Sequence, residues 1–178
     1  MRLSELLTPT RILVPLRAQS KEGVLRELVH LLVGASAAAT GDGNGPGGGG
    51  GSGSDRRGGS AAGPAEDVLQ AILERERQFP TGIGYGVAVP HGKTPALANL
   101  IAVAGTSPTP VPYETVDGEP VRLFFLLAGP ESQAGAHVKA LSRISRLVRR
   151  EPVRARLLKA GTPEEFYQIL CEAEGGGA

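Results

Sequence analysis

The 178-residue sequence has few of the residues that build covalent staples or membrane anchors. Its single cysteine, Cys171, cannot form an internal disulfide, which fits a reducing compartment. No apolar run approaches the roughly 20 residues of a bilayer span. The N-terminus, MRLSELLTPTR, lacks the basic start and long apolar centre of a secretion signal. A soluble, cytoplasmic chain is expected. Neither sign of charge is in excess: the formal net charge is +1, so no global field draws the chain to nucleic acid or a membrane surface. Bulky side chains are scarcest from Gly34 to Gly63. Those 30 residues hold 13 of the 26 glycines and no Val, Leu, Ile or aromatic residue. Such a stretch buries too little apolar surface to offset the entropy of ordering, which predicts a disordered insertion. It lacks the GxxxxGKS/T pattern and follows no strand, so it is a poor phosphate loop. The 33 residues before it are too few to fold alone. One domain is therefore expected, in two parts (1–33 and 64–172) around an insertion at 34–63, with 173–178 a flexible tail.

The most informative stretch runs from Thr81 to Lys93 and reads TGIGYGVAVPHGK. Gly82, Gly84 and Gly86 alternate with other residues, and Val87-Ala88-Val89 is a short β-branched run between breakers, which predicts a buried strand. Pro90 fixes its own φ and biases Val89 towards extended geometry, so the strand should stop there and the chain enter a turn. Gly92 would let the backbone turn sharply or approach a ligand closely. His91 is thus expected at a strand end, a position suited to a nucleophile or a proton-transfer group.

Elsewhere the sequence predicts alternating helices and strands. Residues 2–7 read as a short helix and Arg11–Leu16 as a strand that Pro15 confines to an edge or an end. Ser20 caps a predicted helix to about Val33, with Val24, Leu28, Leu31 and Leu32 on its apolar face and His30 on the polar face. A helix from Pro64 or Ala65 to about Gln78 carries Glu66 and Asp67 in its first turn, where the dipole favours acids. Val68, Ile72, Arg75 and Phe79 share one stripe of it. A charge on such a stripe is costly without a partner, and a phosphate or carboxylate would serve; the alternative is a packed stem with its head in water. Asn99–Gly105 and Val121–Leu127 read as buried strands, SPTPVPYE as an irregular connection and Val116–Glu119 as a turn. A helix from about Gln133 to Arg150 places His137, Leu141, Ile144 and Val148 on one face and Lys139, Arg143, Arg146 and Arg150 on the opposite one. By pattern alone His137 is a core histidine bonded to a carbonyl. No aromatics interleave with the basic face, so it is a solvated face rather than a nucleic-acid site. Two more helices are predicted, Pro152–Lys159 and Thr162 to about Glu172, the latter opening with a capping box of Thr162 and Glu165. Cys171 sits at the end of the last helix as a packing residue.

The residues Thr81-Gly82-Ile83-Gly84 and Val87-Ala88-Val89-Pro90-His91-Gly92-Lys93 resemble the histidine loop of the enzyme IIA component, fructose/mannitol/nitrogen type, of the bacterial phosphoenolpyruvate-dependent sugar phosphotransferase system. The resemblance extends over residues 3–33 and 64–172. It implies a single α/β domain, a mixed sheet of about five strands with helices on both faces. It also implies a phosphoryl-transfer enzyme component. His91 would accept a phosphoryl group from a histidine phosphocarrier protein and pass it to a IIB component for sugar uptake. Arg75, six residues before the motif threonine, and His137, in the helix after the strongest strand, would lie beside it. The alternative is a regulatory protein whose phosphorylation switches a protein interface. A histidine suits transient phosphorylation because an unprotonated ring nitrogen is available near neutral pH. Transfer then needs in-line positioning and stabilisation of charge on the phosphoryl oxygens. Arg75 could supply forked donors, His137 a hydrogen bond, and backbone N–H groups near Gly92 and Lys93 further donors. Lys93 could attract the phosphate or stand as a solvated lysine. No cofactor is required. The three histidines are widely spaced and predict no metal site. Neither nucleic acid nor membrane insertion is implied, and no GxSxG motif supports a hydrolase triad.

Overall fold

The computed structural model describes residues 1–40 and 63–176. The chain begins with helix α1 (Leu3–Leu6), a 3-10 turn (Pro9–Arg11) and strand β1 (Ile12–Leu13), then forms helices α2 (Lys21–Thr40) and α3 (Pro64–Gln78). Strands β2 (Gly82–Gly84), β3 (Val87–Ala88), β4 (His91–Lys93), β5 (Ile101–Val111) and β6 (Val121–Gly129) follow. A second 3-10 turn (Glu131–Gln133) leads into α4 (Ala134–Val148), α5 (Glu151–Lys159) and α6 (Pro163–Gly175).

The sheet has six strands in the order β1-β5-β6-β3-β2, with β4 also pairing β6. It is mixed: β1/β5, β3/β6 and β4/β6 are parallel, while β5/β6 and β2/β3 are antiparallel. The central strand β6 (VRLFFLLAG) is buried at every position but Arg122, as a strand covered on both faces must be. Alternate residues feed the two faces. Leu123, Phe125 and Leu127 pack with Ile144, Val148, Leu157, Phe166 and Leu170 under α4, α5 and α6. Phe124, Leu126 and Ala128 pack with Val24, Leu28, Val68 and Ile72 under α2 and α3. The expected α/β domain with helices on both faces is present.

Several boundaries differ from the sequence reading, each for a local reason. The first strand shrinks to Ile12–Leu13, an edge strand as Pro15 requires. Helix α2 continues past Val33 to Thr40, because the run ASAAA offers almost no resistance to helix propagation. The expected insertion at 34–63 therefore has its first seven residues in α2 and its last, Gly63, at the start of α3, and residues 41–62 lie outside the described residues. The proline-rich segment after Gly105 stays in β5. Pro108 and Pro110 fall between Thr106 and Val111, where the register with β6 shifts, so no ladder donor is demanded of them, and Pro112 follows the end of the strand. At the C-terminal end α6 runs through Gly175, and Ala173, expected in a flexible tail, is buried. Thr162 caps α6 as predicted, its hydroxyl accepting from the Glu165 N–H at 3.2 Å, while the Glu165 carboxylate reaches the Gly161 N–H at 2.9 Å.

The glycine-rich segment forms a hairpin. β2 and β3 are joined by Tyr85 and Gly86, both left-handed, at φ 61° and 73°. Gly86 adopts that geometry freely, but Tyr85 is a non-glycine exception. Its N–H is held by the Asp117 carboxylate at 3.0 Å, and the Arg154 guanidinium lies over its ring, 4.6 Å from the centroid.

Candidate functional site

His91 does not enter the turn that the sequence predicted after Pro90. The chain leaves the ladder with β6 for two residues, Val89 and Pro90, then resumes as β4, parallel to β6 with His91 opposite Leu127 and Lys93 opposite Gly129. The Pro90 carbonyl bridges the gap by accepting the Leu127 N–H at 3.1 Å. Extended backbone here leaves no concave nest of N–H groups at Gly92 and Lys93, and the Thr94 N–H goes to the Gly129 carbonyl at 2.9 Å. Gly92 has a different role from the one its sequence suggested. A Cβ there would sit 3.0 Å from the Ala71 carbonyl carbon and the Ile72 nitrogen, so the close approach is to the backbone of α3, not to a ligand. Helix and strand touch without a side chain between them.

β6 delivers the second histidine. Past Gly129 the chain makes its 3-10 turn, and Gln133 fastens that turn to the start of β5. Its side-chain oxygen accepts the Leu100 N–H at 2.6 Å and its amide donates to Asn99 Oδ1 at 3.0 Å. Gln133 thereby gives no side-chain cap to α4, whose first turn carries His137. The rings of His91 and His137 meet edge to face, centroids 5.4 Å apart and planes at 67°. Two residues 46 positions apart in sequence are thus neighbours at the C-terminal end of β6.

The two imidazoles differ in what they bond. His91 is half-buried, and its Nδ1 lies 2.8 Å from the Val89 carbonyl oxygen. A carbonyl only accepts, so this bond places the proton on Nδ1 and leaves Nε2 with a free lone pair. Burial pushes the His91 pKa down, and the positive charges of Arg75 and Lys93 add to this. The Val89 carbonyl and the Glu76 carboxylate oppose it. His137 is only 3% exposed, and neither ring nitrogen has a hydrogen-bond partner among the described residues. Burial, then the neighbouring His91 and Lys93, lower its pKa to about 4. The pair is therefore uncharged at neutral pH: one ring offers a nucleophilic nitrogen, and the other has its hydrogen-bonding capacity unused. Buried polar groups in that condition are rare and costly, and an arriving group with acceptor oxygens would relieve the cost.

Arg75 lies at the edge of the site. Its head donates to the Phe79 carbonyl at 2.9 Å, closing the C-terminal turn of α3, and its charge bears on His91. The stripe expected to carry it into the core ends before it, since Phe79 is 72% exposed. The buried charge of this helix is instead Glu76, 7% exposed, which the sequence reading missed. The signal was present, because Glu76 follows Val68 and Ile72 at i+8 and i+4 on the buried arc. Lys93 pairs with Glu131 at 3.2 Å, both largely exposed, a contact of little energetic weight. His30 is exposed on α2, outside the histidine pair, and Cys171 is half-buried on α6. Among the described residues no three His, Cys, Asp or Glu side chains gather as metal ligands, and no helix is long and apolar enough to cross a membrane.

Comparison with known proteins points the same way as this geometry. Residues 5–173 match the family model described as phosphoenolpyruvate-dependent sugar phosphotransferase system, EIIA 2. A nitrogen regulatory protein of Bradyrhizobium diazoefficiens is 33% identical over 171 residues, 96% of this chain and 95% of that protein. The fructose-specific EIIABC component of Bacillus subtilis is 35% identical over 170 residues, 96% of this chain but only 23% of that protein. In three dimensions the chain is similar to the nitrogen regulatory protein IIA-Ntr of Neisseria meningitidis, with a TM-score of 0.74 at 25% identity, covering 94% of this chain and 98% of that one.

Proposed function

Since the chain belongs to the EIIA 2 family, phosphoryl-transfer components of the phosphoenolpyruvate-dependent sugar phosphotransferase system, we propose that His91 is its phosphoacceptor and that His137 and Arg75 support it. The observation that carries this reading is the bonding of His91. Nδ1–H is tied to the Val89 carbonyl, so Nε2 is the nucleophile, and the ring meets edge to face a buried histidine whose nitrogens have no hydrogen-bond partner among the described residues. The donor is a histidine phosphocarrier protein. Its phosphorus–nitrogen bond breaks as the Nε2 lone pair attacks phosphorus, and the bonding pair returns to the donor imidazole. Positive charge develops on the His91 ring, where the Val89 carbonyl stabilises it through Nδ1–H. His137 donates to a phosphoryl oxygen, and the Arg75 charge offsets the negative charge on the transferring group. The reverse sequence hands the group to an acceptor.

The acceptor is a IIB component. The Bacillus relative whose name joins A, B and C parts in one protein supports this. A regulatory target is the second reading, favoured by the relative of matching length that is named a nitrogen regulatory protein. The test mixes phosphoenolpyruvate, enzyme I and the phosphocarrier protein with this chain and maps acid-labile phosphate by mass spectrometry. Phosphate on His91, absent from His91→Ala, is expected; a chain that stays unlabelled beside a competent donor pair rejects the carrier. Chase of the labelled chain with purified IIB components then separates transport from regulation.

A further inference from the structure

The buried carboxylate of Glu76 touches neither histidine, yet a continuous line of hydrogen bonds joins it to His91. Glu76 accepts the Thr81 N–H at 3.1 Å and the Thr81 hydroxyl. The Thr81 carbonyl accepts the Val89 N–H at 2.9 Å, and the Val89 carbonyl accepts Nδ1–H of His91 at 2.8 Å. The line crosses from the end of α3, through the first residue of the glycine hairpin, to the residue that fixes the histidine tautomer. Two more groups hold its origin. Lys21, at the start of α2, places its ammonium 3.3 Å from Glu76 Oε1 and 4.4 Å above the Tyr113 ring centroid. The Tyr113 hydroxyl lies 3.0 Å from Thr81 Oγ1. Because that Oγ1 gives its own proton to Glu76, Tyr113 is the donor to it, and burial keeps the phenol protonated by raising its pKa. Every polar atom in this cluster has a partner. A satisfied buried network of this kind fixes one arrangement and is lost as a unit when a member is removed.

We infer that Glu76 is a positioning residue for phosphoryl transfer, holding Thr81 so that the Val89 carbonyl keeps the proton on Nδ1 of His91 and Nε2 directed at the incoming phosphorus. The inference rests on the assignment of His91 as acceptor. It gives the motif threonine a task that its distance from the chemistry conceals, and it makes α3 the carrier of two opposite contributions. Arg75 reaches His91 by its field, and its neighbour Glu76 reaches it through the backbone of the hairpin.

The test uses the full chain, with Glu76→Gln and Thr81→Val as separate variants and Thr81→Ser as the conservative control. Nitrogen-15 NMR of the His91 ring reads the tautomer without any phosphate donor, and the phosphocarrier assay reads the rate and the final extent of labelling. In the wild type Nδ1–H predominates. In Glu76→Gln and Thr81→Val the His91 tautomers are expected to mix. Labelling should slow about 10- to 100-fold, the scale of a small misplacement of a reacting group, while its final extent stays unchanged. Thr81→Ser should restore both readings. A folded Glu76→Gln protein with the wild-type tautomer and labelling rate overturns the inference. If Glu76→Gln fails to fold, Thr81→Val decides by the same criteria. A wild type that takes no phosphate at all overturns the acceptor assignment instead, so the two failures are told apart by the wild-type lane.

Discussion

Two imidazoles that burial holds uncharged, His91 on β4 and His137 on α4, meet edge to face with their centroids 5.4 Å apart. They are not equivalent. His91 spends one nitrogen on the Val89 carbonyl, whereas His137 spends none. In the proposed transfer this asymmetry would separate a nucleophile from a hydrogen-bond donor before any phosphate arrives, and the first expectation follows from it.

Substituting His137→Ala should leave His91 modifiable but slow its phosphorylation by about 100-fold, the usual cost of one lost donor to a transferring group. Rapid-quench labelling checks this. Complete loss of labelling would mean that His137 is the acceptor or is indispensable to it.

The depressed pKa values predict how stability varies with pH. In the unfolded chain His137 takes up its proton near 6.5, while in the folded chain it waits until about 4. Between those values the unfolded state binds more protons, so stability is full above about pH 6.5 and falls as the pH drops towards 4. The loss from His137 alone reaches about 3 kcal/mol at the acid end. His91, shifted in the same direction, adds to it. Urea titrations at pH 7.5 and 4.5 should show this fall, and His137→Phe should flatten it.

Gly92→Ala introduces a methyl 3.0 Å from backbone atoms of Ala71 and Ile72 that have little room to yield. Overpacking of this kind costs about 1–3 kcal/mol. Because the same contact seats the strand of the proposed acceptor, labelling should slow as well. Denaturation and rate are to be measured on one preparation; a variant as stable and as fast as the wild type would show that α3 and β4 can part at no expense.

Arg75→Gln removes a positive charge that lowers the His91 pKa, so an NMR titration should find that pKa raised. The same variant loses the donor to the Phe79 carbonyl, which should fray the last turn of α3. Slower labelling with an unmoved His91 pKa would show that the guanidinium acts through the helix end alone.

Much of this was legible in the sequence because the sequence pattern is local. The apolar periods of α3 and α4 and the unbroken run of β6 each report burial directly, and the position of His137 at the head of an inward stripe placed it on the correct face. The histidine motif could be read as a word, but its geometry could not. Pro90 does end one pairing, yet whether the chain then turns or pairs again depends on β6, more than 30 residues on, which offers Leu127–Gly129 as a second landing place. The role of Gly92 depends on how near α3 passes, a tertiary distance with no local trace. Glu76 was hidden for another reason. A carboxylate is ordinarily read as solvent-facing, and only Thr81, Lys21 and Tyr113 together make its burial affordable.

Helix α3 carries Arg75 and Glu76 in its last turn, but it starts at Pro64, roughly 15–20 Å back along its axis at 1.5 Å per residue. Whatever joins α2 to Pro64 is therefore attached at the end of a rigid rod remote from the chemistry. That junction is expected to tolerate a change of length with the rate of His91 labelling unaltered. For the same reason it is the natural place to open a circular permutant, or to splice in a reporter whose signal follows the fold and leaves phosphate exchange untouched.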